Sequence, residues 1–147
     1  MSLNGRKDLS VGLSCLLILC LAICAVGSAQ TLSGTTGSSS EFGSGWLKLA
    51  SPVNFSKGER LKLSIGGTAN KIIVRLLPQG ASPDTPVGVI TGVFTVPASR
   101  IVEVSIPEDR KQVVQISVHG GPNPWNQFPL GPGNGPATIT SAELVKK

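Results

Sequence analysis

From Trp46 onward the dominant period of the apolar residues is two, and no stretch holds them at helical spacing for three turns. That alternation constrains the fold most, because a period of two sets successive side chains on opposite faces of a pleated strand. Leu61, Leu63 and Ile65 alternate with Arg60, Lys62 and Ser64, which predicts a strand with one face in a core and one in water, ended by Gly66-Gly67. Lys71–Leu77 is more continuously apolar and predicts a central strand, stopped by Pro78 and Gly80. Ile101, Val102, Val104 and Ile106 form another, closed by Pro107-Glu108-Asp109. Along Val113–His119 the pattern puts Val114, Ile116 and Val118 on one face and Gln115, Ser117 and His119 on the other. Ala137–Val145 supplies the last strand. Trp46–Leu49, Val53–Phe55 and Val87–Val96 are shorter candidates, the last broken by Gly88 and Gly92, and Pro83–Pro86 is turn chemistry. With 11 prolines and 18 glycines punctuating the whole chain, the expected fold is all-β. A two-sheet β-sandwich suits seven or eight short strands better than a closed barrel.

The first 29 residues read differently. Arg6 and Lys7 form a basic start, Val11–Val26 is almost unbroken apolar sequence, and Gly27-Ser28-Ala29 supplies small residues. This is the pattern of a secretory signal peptide over 1–29, cleaved after Ala29, and the apolar run is shorter than the roughly 20 residues that span a bilayer. A secreted or periplasmic location follows, with the membrane touched only through an uncleaved leader. Cys15, Cys20 and Cys24 all lie in this segment, so the exported part expects no disulfide. Residues 30–45 are rich in Ser, Thr and Gly, with Leu32 and Phe42 their only sizeable apolar residues, and predict a flexible linker. Residues 46–147 are then the β-sandwich domain. The whole chain carries a net charge of +5. Lys57, Arg60, Lys62, Lys71 and Arg75 offer a weak attraction for anionic polymers, or simply a solvated face. Nucleic acid is not expected as a partner, since aromatic and basic residues are not interleaved as single strands require.

Between His119 and Pro136 lies a long loop holding the only histidine, Trp125, several amides and a concentration of Gly and Pro. Loops of this length inside a compact domain are commonly functional, and this one leaves directly from a strand. Trp125 offers a flat apolar face with one N–H donor, while Asn123, Asn126, Gln127 and Asn134 offer paired donors and acceptors. A sugar presents the complementary surface, C–H patches on its ring faces and hydroxyls at its rim. The candidate ligand-binding residues are therefore Trp125, His119, Asn123, Asn126, Gln127 and Gln115, with Ser117 beside them. Against this stands a packing role, in which Trp125 and Phe128 fold back over the end of the core.

Catalytic chemistries find few of their parts. His119-Gly120-Gly121 is like an esterase oxyanion loop, but no Gly-x-Ser-x-Gly elbow and no second histidine accompany it. The acids Glu41, Glu59, Asp84, Glu103, Glu108, Asp109 and Glu143 sit mostly in turns or on polar faces, where solvation explains them better than a glycosidase pair. One histidine and no cysteine beyond the leader leave no soft-ligand metal cluster. The expectation is a non-enzyme with no metal and no cofactor.

The segments Phe55–Leu63, Val113–Val118 and Ala137–Val145 resemble strands of the jelly-roll sandwiches found in carbohydrate-binding modules and the wider galactose-binding-like superfamily. The resemblance covers Trp46–Val145. It implies recognition on a concave sheet face, where Gln115, Ser117 and His119 lie, or at the loop end, where Trp125 lies. The absence of tyrosine and the presence of only two tryptophans depart from the several aromatic platforms usual in such modules. The expected function is thus an exported non-catalytic binding module for a glycan or another envelope component. The alternative is a structural or adaptor protein docking onto an envelope protein.

Overall fold

The computed structural model describes residues 28–122, 129–130 and 134–147, and among these the regular structure is entirely β. Nine strands form: β1 (Ala29–Thr31), β2 (Gly34–Ser39), β3 (Ser44–Phe55), β4 (Arg60–Gly67), β5 (Lys71–Pro78), β6 (Phe94–Thr95), β7 (Ile101–Ser105), β8 (Arg110–His119) and β9 (Ala137–Val145). They make two antiparallel sheets, a four-stranded one in the order β1-β9-β4-β7 and a five-stranded one in the order β2-β3-β8-β5-β6. One apolar cluster fills the space between them. Leu61, Leu63, Val104 and Leu144 come from the first sheet, and Leu47, Ile116, Val118 and Val74 from the second. The arrangement is sandwich-like, as the period-two pattern predicts. The expected signal peptide lies, apart from its last two residues, outside the described residues.

The strand reading needs correction at several places. Trp46–Leu49 and Val53–Phe55 are one strand rather than two, joined across a register shift between Lys48 and Val53. Pro52 lies within that shift, where a residue with no N–H interrupts the ladder least. A second irregularity skips Val114, so Val113 joins the core in the position the alternation assigns to Val114. Val87–Val96 is mostly not strand: it contributes an isolated bridge between Val89 and Arg75 and the two residues of β6.

Residues 30–45, expected to be a flexible linker, carry most of β1 and all of β2. Ala29, Gln30 and Thr31 pair with Val145, Leu144 and Glu143, and Gly34–Ser39 pairs along β3 with Leu49–Ser44. Composition misleads here because strands at a sheet edge draw on backbone hydrogen bonds, which Ser, Thr and Gly make as well as any residue. A single apolar anchor suffices: Leu32, between the two strands, is buried in the common core.

Two arginines act as backbone clasps. Arg100, at φ 61°, donates to the carbonyl oxygens of Ile65, Ala69 and Gly67 at 3.2, 2.7 and 2.9 Å, closing the β4–β5 turn. Arg75 performs the corresponding task for the loop over the five-stranded sheet. Arg75 is therefore buried and not part of the solvated basic face grouped in the sequence, and Arg60 and Lys62 lie on the other sheet.

Candidate functional site

The register of the five-stranded sheet builds a candidate site on its outer face. Gly45 faces inward against Thr138 and Ala137 of β9, so its neighbours Ser44 and Trp46 face outward, as does Lys48. Ser117 is paired with Trp46 on one side and Arg75 on the other; His119 with Ser44 and Ile73; Gln115 with Lys48 and Leu77. Three parallel rows result, each crossing β3, β8 and β5. They floor a cavity of about 470 Å³, closed at its margins by Phe42 of the β2–β3 turn and by Pro83 and Asp84 of the β5–β6 loop. That volume is within the range of small-molecule sites.

Local sequence explains each wall. Gly37 is the cross-strand partner of Trp46, and a Cβ there would lie 2.6 Å from the indole. The missing side chain lets the ring lie over β2, half-buried and held beside the cavity. On the opposite side the Arg75 guanidinium donates to the carbonyls of Val87 at 2.7 Å, Pro83 at 2.7 Å and Ser82 at 2.9 Å. Charge-assisted bonds to three carbonyls satisfy a cation that is only 3% exposed. Beyond it the chain runs beside β5 through Leu76 N–H to Gly88 O (2.8 Å) and Ile90 N–H to Val74 O (2.9 Å). Gly88, at φ +85°, has its Cα against the Leu76 carbonyl where a side chain would collide.

The electrostatics of the floor follow from burial. His119 is 8% exposed, and desolvation, reinforced by the nearby Arg75 charge, lowers its pKa to about 4. It is a neutral imidazole at neutral pH. Burial also lowers the Arg75 pKa, and the Asp84 carboxylate opposes that shift. The guanidinium remains charged. Gln115 Nε2 donates to Ser117 Oγ at 2.9 Å, tying adjacent rows together.

Of the residues expected at a binding site, Gln115 and His119 are brought together, with Ser117 between them. On β8 Gln115 is partly buried and Ser117 and His119 are buried, so this polar side of the strand forms a floor. Asn123, Trp125, Asn126 and Gln127 lie outside the described residues. Asn134 is a staple: its Oδ1 accepts from the backbone N–H of Asn70 and of Lys71, both at 3.0 Å, and its Nδ2 donates to the carbonyls of Lys71 and Gly120. Trp46, Lys48, Arg75 and Asp84 complete the cavity and went unrecognised as site residues. The signal for Trp46 and Lys48 was present in the outward parity of β3, but their neighbours across the sheet were not readable from one strand. Glu59, grouped with the solvated acids, is instead buried; its carboxylate accepts from Ser56 N–H at 2.8 Å and pairs with Lys146 at 3.2 Å.

Among the described residues no group of three His, Cys, Asp or Glu side chains is placed to hold a metal ion. Comparisons with protein-family models, with curated proteins and with solved structures find no match.

Proposed function

We propose that this chain is an exported, non-catalytic binding module of the carbohydrate-binding kind, taking a glycan on the outer face of its five-stranded sheet. The observation that carries the reading is the row Trp46–Ser117–Arg75 with Gln115 and His119 beside it, flooring a cavity of about 470 Å³. An indole offers a flat apolar surface to the C–H face of a sugar ring. Around it, the Gln115 amide and the Ser44 and Ser117 hydroxyls suit a rim of hydroxyls that both donate and accept. The His119 imidazole lies beneath this surface, neutral at neutral pH and with both ring nitrogens buried. The basic and apolar leader over 1–29 supports export to a compartment where envelope glycans are found.

Retention on a panel of immobilised polysaccharides tests the reading. Trp46→Ala is expected to weaken binding at least about tenfold, the equivalent of ~1.4 kcal/mol, and Gln115→Ala to weaken it less. Urea midpoints measured alongside separate lost contact from lost folding. Retention that survives both substitutions would place the ligand elsewhere, and capture of a single envelope protein in the absence of glycan retention would favour the adaptor role.

A further inference from the structure

We infer that the sugar taken by this cavity carries a carboxylate, as in a uronic acid, and that Lys48 and Gln115 receive it. This rests on the glycan reading above and adds the charge class of the ligand. Lys48 follows Trp46 by two positions on one face of β3, so their Cα atoms lie about 7 Å apart. That spacing lets an ammonium on a flexible stem reach an exocyclic group of a ring stacked on the indole. Gln115 is the cross-strand partner of Lys48. One N–H of its amide goes to Ser117 Oγ, and the amide carries a second N–H to offer.

The remaining charges single out Lys48. Arg75 directs its guanidinium to the carbonyls of Ser82, Pro83 and Val87, and its charge faces the Asp84 carboxylate. Asp84 is the one acid among the described residues that line the cavity. Lys48 is exposed and forms no ion pair among the described residues. An exposed cation lining a cavity whose single acid among the described residues faces a different cation selects for an anionic ligand. Neutral His119 adds no competing charge.

The test titrates the full exported chain with oligogalacturonate and with a neutral galactan oligosaccharide of equal length, using calorimetry at two salt concentrations. Expected are tighter binding of the acidic oligosaccharide and, in Lys48→Gln, a loss of about tenfold for it with little change for the neutral one. Lys147→Gln removes an exposed charge away from the cavity and is expected to change neither. Equal losses in the two lysine variants would reduce the effect to general attraction by a basic protein and overturn the inference. Equal affinity for the two sugars, abolished by Trp46→Ala, would overturn the acidic preference while leaving the cavity as a glycan site. Absence of binding by either sugar would remove both.

Discussion

At the residue scale, the site depends on one absent side chain and one suppressed charge. Gly37 gives the Trp46 indole its seat, so Gly37→Ala is expected to tilt the ring away from β2 and destabilise the fold by about 1 kcal/mol. In a Trp125→Phe background, where Trp46 is the sole indole, its emission should shift to the red and glycan affinity should fall; an unchanged spectrum would mean the ring does not rest on that glycine. His119 carries the suppressed charge. Its folded pKa of about 4 lies below the ordinary value of 6.5. Between those values the unfolded chain therefore binds more protons than the folded one. Stability is expected to be full above pH 6.5 and to decline by ~3 kcal/mol as pH falls to about 4, at about 1.4 kcal/mol per unit. Urea unfolding at pH 7 and pH 4 should show that decline, and His119→Gln should lessen it. A decline of equal size in the variant would assign the acid sensitivity to other groups.

At the scale of elements, the β5–β6 loop and the N-terminal strands decide how far the sequence could be read. Alternation at Leu61, Leu63 and Ile65 exposed β4 without ambiguity, because each residue reports its own face. The β2 segment hid from the same method, since a Ser, Thr and Gly strand at a sheet edge carries its structural information in the partner it pairs with. Leu32 makes the difference measurable. As a core residue, Leu32→Ala should cost ~2–4 kcal/mol in chemical denaturation, whereas a linker residue would cost almost nothing. The loop is held by Arg75, a residue that reads in the sequence as one basic position within a strand. Arg75→Met should leave the Ser82, Pro83 and Val87 carbonyls without their shared donor and lower stability by about 3 kcal/mol. Limited proteolysis should then cut within 79–93. Resistance equal to that of the parent chain would show that the loop is held by its packing alone.

For the whole molecule, two sheets share one core and leave the outer face of the larger sheet to carry the candidate site. The β8 stripe of Gln115, Ser117 and His119 was legible as a candidate, because alternation sets three polar residues on one face. Its burial was not, since the cover comes from Phe42 and from Pro83 and Asp84, far away in sequence. Position on a rigid sheet with cross-strand neighbours on both sides also gives the floor less freedom to adapt than a loop site would have.

The most direct check on where the ligand sits is a chemical-shift map of the isotopically labelled chain, titrated with an acidic oligosaccharide. The largest perturbations are expected at residues 44–48, 75 and 115–119, with the four-stranded sheet unmoved. Perturbations centred on β4, β7 or β9, or none on the outer face of the five-stranded sheet at saturation, would contradict the placement of the site.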